Sequence, residues 1–262
     1  RGPVGDFIKP DITAPGIQVM AGMTPQPIGT VNGPPGQLFQ AIAGTSMSSP
    51  HSAGASALVR AFHPDWSPAE IKSALMTSAS QDVVKEDGVT DFDPFDAGAG
   101  GLDVVAAVNP TLVFNETTAN FVASATDPLH RIDLNIASID ATTMTGEVST
   151  QRTARNVSNK NQTFDIKITQ PAGVTITVGD KNKPLKINKG ASLTFPITIS
   201  APAVANGQYF ARINLVPRSG DESVTIPVAF VRKQGAVNMT HTCTPTTFAA
   251  NTGVSHCSVA MS

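Results

Sequence analysis

The feature that most constrains the fold of this chain is a change of residue pattern near residue 110. Before that point Gly, Pro and Ala are abundant and two helices are indicated. Later residues form short alternating segments rich in Val, Ile, Thr and Phe. Alternation with a period of two is typical of strands. The sequence therefore predicts an α/β region over residues 1–112, an all-β antiparallel region over 113–233, and the start of a further β-module over 234–262.

Two helices are predicted in the first region. Residues 48–62 are rich in Ala, Gly and Ser, and we expect this helix to be largely buried because small residues let other backbone approach closely. The second helix has a complete set of start signals, with Ser67 as the N-cap, Pro68 at the first helical position and Glu70 completing a capping box.

Seven strand-like runs are expected in the second region, several of them separated by turn-forming residues. Seven short strands over about 100 residues favour an antiparallel sandwich, which we expect to fold by itself over about residues 120–233. The runs cover residues 131–136, 146–152, 163–169, 174–178, 192–199, 209–216 and 223–231.

Charge and hydropathy exclude several classes of function. The 18 Lys and Arg nearly balance the 20 Asp and Glu, so no basic face for nucleic acid is indicated. No apolar stretch approaches the roughly 20 residues that span a bilayer.

The chain starts at Arg1-Gly2-Pro3 without an initiating Met or a signal peptide, and it stops within a strand-like alternation at the other end. We therefore expect a fragment of a longer protein, with no nucleic-acid partner and no membrane span.

The cysteine pair bears on the cellular compartment. Cys243 and Cys257 are the only two cysteines and lie within one Thr- and Ala-rich segment. A local disulfide is favoured over two free thiols, and it implies an oxidising, extracellular or cell-surface location. A metal site is poorly supported, because a zinc site takes about four ligands and only His241 and His256 lie near. We expect no cofactor.

The segment at residues 40–51 carries the chemical interest. An apolar run leads through Gly44 to Ser46 at the start of a helix. A helix start has backbone N–H groups without intrahelical partners and a partial positive charge, which would stabilise a negative oxygen formed beside Ser46. A Ser in this position is more often a simple N-cap, so the residues by themselves leave both roles open.

The same segment resembles a known signature. Gly44-Thr45-Ser46-Met47-Ser48-Ser49-Pro50-His51 is similar to the nucleophile motif of the subtilisin-like serine proteases. Residues 9–16, 63–72 and 98–108 resemble other motifs of this family in the same order. The later β region, notably residues 153–158 and 171–174, is similar to the fibronectin type III-like domain that follows the catalytic domain in plant-type subtilases.

This resemblance implies both a fold and a chemistry. The fold is the C-terminal part of a three-layer, parallel-sheet catalytic domain, and the activity is that of an endopeptidase cleaving protein or peptide substrates. Ser46 would form the acyl-enzyme and hold the oxyanion through its backbone N–H. Gly44, Thr45 and Met47 would lie beside the substrate.

The resemblance also implies that this chain is inactive by itself. In the family the catalytic Asp and His precede the Ser, and residues 1–45 contain no His. Asp6 and Asp11 lie in other motifs, and Asn32, which reads as a turn residue, does not fit the family's oxyanion Asn.

Structural or solvent-exposed roles are expected for the histidines that do occur. His51 follows Ser46 by five residues on another face of the helix, and His63 begins a turn. His130, His241 and His256 are expected to be solvated. Two alternatives to a peptidase fragment remain, a non-catalytic secreted β-sandwich binding module and a pseudoprotease. A structural calcium ion in the parent protein is left open.

Overall fold

The computed structural model describes residues 7–26, 35–233, 239–244 and 256–261. For Leu129 and the last two stretches it describes the backbone only. The first region contains a two-stranded antiparallel sheet, two longer helices and two short ones. These elements are β1 (Val19–Gly22), β2 (Phe39–Ile42), α1 (Thr45–Phe62), α2 (Pro68–Thr77), α3 (Pro94–Ala97) and α4 (Val104–Ala107).

Two packed sheets form the second region. A short helix and a 3-10 helix lie between its first two strands. The first sheet is antiparallel, in the order β3 (Leu112–Phe114), β5 (Glu147–Asn156), β9 (Ser192–Ser200), β7 (Thr175–Val178). The second has the order β4 (Ile139–Met144), β11 (Val224–Arg232), β10 (Gly207–Pro217), β6 (Gln162–Thr169), β8 (Leu185–Ile187). Between β3 and β4 lie α5 (Thr118–Ser124) and the 3-10 helix Pro128–Asp133. Further on, β12 (Met239–Thr244) pairs with β13 (His256–Met261) in an antiparallel arrangement.

Six of the seven expected strands are confirmed, with ends that differ by at most four residues. The strand expected at 131–136 is wrong, because this stretch overlaps the 3-10 helix Pro128–Asp133. There the Arg131 side chain donates hydrogen bonds to the carbonyls of Ser124 and Ala125, which ties the segment to the end of α5. The purely antiparallel arrangement is also corrected, since β4 pairs with β11 in parallel and makes that sheet mixed.

The second predicted helix is confirmed in detail. Ser67 Oγ accepts the Glu70 N–H at 3.1 Å, and Glu70 Oε2 accepts the Ser67 N–H at 2.9 Å. Two donors that no helical carbonyl can reach are thereby satisfied, and Pro68 supplies a preset φ without needing a partner of its own.

The first helix differs from expectation in two ways. It begins at Thr45 rather than Ser48, so Ser46 lies inside its first turn. It is also largely exposed, with only Ala55 and Val59 buried. Among the described residues, α2 and α4 are the helices that pack against it, and they cover a single stripe.

The two regions share their hydrophobic core. Met76, Ala79 and Ala99 of the first region pack into the same cluster as the buried faces of the two sheets. In β3, Leu112, Val113 and Phe114 are all buried, and Val113 packs with residues of α1 and α2. A sandwich beginning at residue 120 would lack this strand, and the predicted boundary between residues 112 and 113 falls inside it.

Candidate active site around Ser46

Ser46 is presented at the junction between β2 and α1. The chain leaves β2 at Ile42 and turns at Gly44, which is the N-cap of α1 with φ 156° and ψ 164°. Residues with a Cβ rarely adopt this conformation, so Gly44 permits an abrupt change from strand to helix. The Ser46 side chain follows in the first helical turn and is exposed.

The backbone N–H of Ser46 has no hydrogen-bond acceptor among the described residues. The N–H groups of the next two residues, Met47 and Ser48, both donate to the Gly44 carbonyl, at 3.0 and 3.4 Å. An unpaired N–H at the positive end of an 18-residue helix is a donor available to a negatively charged oxygen.

The turn at Gly44 is held from one side by residues 9–16, the segment that resembles another motif of the family. The Gly44 N–H donates to the Gly16 carbonyl at 2.7 Å. Further back in that segment, Asp11 pairs with Lys72 of α2 at 2.7 Å and with Lys9. Burial raises the pKa of the Asp11 carboxyl, but the two lysines outweigh it and hold the pKa below its usual value.

Two glycines of the Gly98–Gly101 turn allow close backbone approach, Gly98 against the same segment and Gly100 against Ser80. A Cβ on Gly98 would lie 2.4 Å from the Pro10 carbonyl oxygen, and one on Gly100 would lie 2.3 Å from that of Ser80. The motif Gly98-Ala99-Gly100-Gly101 thus permits backbone contact between residues 98–101 and their neighbours.

The three histidines whose side chains the structure describes lie in structural or exposed positions. His51 Nδ1 lies 2.8 Å from the Met47 carbonyl oxygen, one turn back in the same helix. His63 stacks on Trp66 with ring centres 3.7 Å apart, and its Nε2 lies 2.8 Å from the Val108 carbonyl oxygen. His130 is exposed beside Asp127.

Several predicted residues fall outside what the structure describes. Asp6 and Asn32 lie outside the described residues. The side chains of Cys243 and Cys257, and of His241 and His256, are likewise not described. The backbone register places Cys243 directly opposite Cys257 across β12 and β13, and the disulfide stays a prediction.

One contact between the two regions was not anticipated from the sequence. Glu70, recognised only as part of a capping box, also accepts hydrogen bonds from Arg155 of β5, with Nη2–Oε1 at 2.5 Å and Nε–Oε1 at 3.2 Å. The cap of α2 is therefore shared with the sandwich. No local signal could have found this pair, because 85 residues separate the partners.

The apolar cavity beside α2 does not include Ser46. A cavity of about 540 Å³ lies between α2, β3 and α5, with Met76, Phe114 and Phe121 among its lining residues. Within the described part of the chain, no group of three or more His, Cys, Asp or Glu side chains could hold a metal ion. None of its helices is both long and apolar enough to cross a membrane.

Comparison with known proteins agrees with the order of the motifs. Residues 1–100 match the model of the subtilase family, and residues 133–230 match that of a fibronectin type III domain. The subtilisin-like protease SBT3.11 of Arabidopsis thaliana is 33% identical over 267 aligned positions, covering 89% of this chain and 34% of that protein. For SBT1.6 of the same plant the identity is 34% over 216 positions, covering 68% and 28%.

This chain spans about a third of the length of these curated relatives, 34% of SBT3.11 and 28% of SBT1.6. Among solved structures, a FixG-related protein from Vibrio parahaemolyticus superposes with a TM-score of 0.29 at 11% identity, over 47% of this chain and 93% of that one. A similarity this low carries no argument about the fold.

Proposed function

Because residues 1–100 belong to the subtilase family and residues 133–230 to a fibronectin type III domain, we propose that this chain is the nucleophile-bearing part of a secreted serine endopeptidase. The observation that carries the proposal is the placement of Ser46, exposed in the first turn of α1 with its own N–H unpaired among the described residues.

The proposed chemistry is acyl transfer to Ser46. Its Oγ attacks the scissile carbonyl, and its backbone N–H donates to the oxygen that becomes negative in the tetrahedral intermediate. Gly44 and Thr45 precede the nucleophile and Met47 follows it, so these residues would flank the substrate. No His among the described residues bonds to Ser46, and the base that removes its proton would come from a longer polypeptide.

Exposed apolar side chains support a larger catalytic domain. Around β1, β2 and the outer face of α1, six large hydrophobic residues are more than half exposed: Ile17, Met20, Leu38, Phe39, Leu58 and Phe62. Apolar surface of this kind is usually covered in a working protein. In this proposal the rest of a three-layer, parallel-sheet domain covers it.

The deciding experiment uses the longer parent protein. We expect hydrolysis of a protein or peptide substrate that is abolished by Ser46→Ala, and covalent labelling of Ser46 by a serine-reactive phosphonate. The chain 1–262 by itself is expected to show neither. Hydrolysis by the parent that survives Ser46→Ala would refute the assignment, and a folded parent without hydrolysis would identify a pseudoprotease.

Ser46→Ala is a suitable variant for this test because it should leave the fold intact. The Ser46 side chain is exposed, and the N-cap of α1 is Gly44, without a side-chain capping bond. A matched control is Ser49→Ala, one turn along the same exposed face of α1, which removes a hydroxyl of the same kind. It should leave hydrolysis unchanged.

A further inference from the structure

We propose that Gly16 is a positioning residue for the nucleophile, holding the turn that presents Ser46 through its carbonyl and through the absence of a side chain. This inference rests on the proposed function of Ser46. The Gly16 carbonyl accepts the Gly44 N–H, and a Cβ on Gly16 would meet Ser48 of α1, so Gly16 lies close to residues on both sides of the nucleophile.

The contact between Gly16 and the turn would accommodate a methyl group only if its neighbours shifted. The Gly44 N–H donates to the Gly16 carbonyl at 2.7 Å. A Cβ added to Gly16 would lie 3.0 Å from the Gly44 oxygen, 3.3 Å from the Ser48 Cβ and 3.6 Å from the Ser48 nitrogen. The first two distances are shorter than ordinary van der Waals contacts, so any other residue would push the turn away by a few tenths of an ångström.

The turn has little else to hold it. Met47 and Ser48 donate to the Gly44 carbonyl, but these bonds lie within the turn itself. Pairing of β2 with β1 ends at Ile42. Within the described ranges, the bond from Gly44 to Gly16 is the backbone hydrogen bond that joins the turn to another segment.

Gly16 can act as a reference point because its own segment is anchored. Asp11 and Thr13 exchange backbone hydrogen bonds with residues 99–102, at 2.8 to 3.0 Å. The Asp11 carboxylate also pairs with Lys72 of α2. The segment from Asp11 to Gly16 therefore connects the frame formed by α2 and residues 98–102 to the turn that carries Ser46.

The first test measures backbone amide exchange in the chain 1–262, with Gly16→Ala compared with Gly22→Ala. Gly22 lies in β1 with nothing within 4 Å of an added Cβ, which makes it a matched control. We expect Gly16→Ala to accelerate exchange of the Gly44 amide by about 10-fold, the equivalent of one lost hydrogen bond. Gly22→Ala should leave it unchanged. Equal exchange at Gly44 in both variants would overturn the proposal.

The second test measures kcat and KM separately in the longer parent protein. Since a misplacement of about 1 Å can cost about 100-fold in rate, a shift of a few tenths should lower kcat about 10-fold and leave KM nearly unchanged. Gly22→Ala should alter neither. A kcat unaffected by Gly16→Ala would refute the positioning role. If the parent protein shows no hydrolysis that depends on Ser46, the proposed function fails. The exchange experiment still tests the contact between Gly16 and the Gly44 turn.

Should Gly16→Ala not fold, Asp11→Asn replaces it, because this variant weakens the anchor and leaves Gly16 in place. We expect it to accelerate exchange at Gly44 about threefold, as for a weakened hydrogen bond. Unchanged exchange at Gly44 in folded Asp11→Asn would likewise overturn the proposal.

Discussion

Replacing Arg155 by Met should weaken the junction between the two regions. Arg155 lies on β5 of the sandwich, and its Nη2 donates to Glu70 Oε1 at 2.5 Å. The Glu70 side chain is only 9% exposed, and its other oxygen accepts the Ser67 N–H at 2.9 Å. Without Arg155 this carboxylate stays buried with only its capping bond.

The magnitude follows from the burial of the two partners. One charge-assisted hydrogen bond contributes about 1.5–3 kcal/mol, and breaking a fully buried ion pair costs about 3–5 kcal/mol. The Arg155 side chain is 35% exposed, so solvent screens part of this interaction. We expect the free energy of unfolding to fall by about 2 kcal/mol in Arg155→Met.

The assay is a double-mutant cycle of Arg155→Met and Glu70→Gln. Urea unfolding can be followed by the fluorescence of the one tryptophan, Trp66, which is buried just before α2. We expect a coupling energy of at least about 1 kcal/mol between the two positions. A value below about 0.5 kcal/mol would refute the reasoning. Arg218→Met, which removes an exposed pair with Asp165, is the control and should shift the midpoint much less.

The same pair predicts a pH dependence. Burial raises the pKa of Glu70. The Ser67 N–H and Arg155 together lower it by more than burial raises it, so the pKa lies below its usual value of 4.5. A depressed pKa in the folded state means that the stabilisation is complete above about pH 4.5 and is lost as the pH falls through the folded-state pKa. Glu70→Gln should therefore flatten the fall in stability below pH 4.5, measured as the urea midpoint across the acid range.

Three other substitutions test a helix cap, a close backbone contact and a buried hydrogen-bond network. Ser67→Ala should lower the free energy of unfolding by about 1 kcal/mol, because the cap on the Glu70 N–H is lost. Ser67→Thr should restore most of it, and an unchanged urea midpoint in Ser67→Ala would contradict the role of the cap. Gly98→Ala should abolish soluble expression, since its Cβ would lie 2.4 Å from the Pro10 oxygen at φ 63°. Gly146→Ala is the control, because nothing lies within 4 Å of a Cβ added there, and it should melt like the unsubstituted chain. Equal melting of Gly98→Ala and Gly146→Ala would rule out the close contact at Gly98. Arg152→Lys should destabilise by about 2–4 kcal/mol. Its buried guanidinium makes five hydrogen bonds, four of them to carbonyls, that an ammonium cannot reproduce, and wild-type urea resistance would oppose this account.

Local signals in the sequence determined the elements whose causes are local. The cap, Pro and capping-box residues of α2 lie within four positions of one another, so their geometry could be predicted without the rest of the fold. Six strands were recognisable from alternation for the same reason. The family motif around Ser46 is likewise contiguous, and it identified the candidate nucleophile.

Contacts between distant segments were decided only by the tertiary structure. Three-residue strands such as β3 and β8 carry too little alternation to be recognised, and they form because a neighbouring strand supplies their hydrogen bonds. Composition suggested that α1 is buried, but burial depends on which elements pack against a helix.

The partners of Glu70 and Gly16 illustrate the same limit at the candidate site. Glu70 is recognisable as half of a capping box, while its pairing with Arg155 depends on how the sandwich packs against α2. Gly16 belongs to a motif, but its contact with the Gly44 turn depends on two segments meeting 28 residues apart. The sequence by itself determined which residue is the candidate nucleophile, and only the tertiary structure decided what holds it, because long-range packing leaves no local pattern.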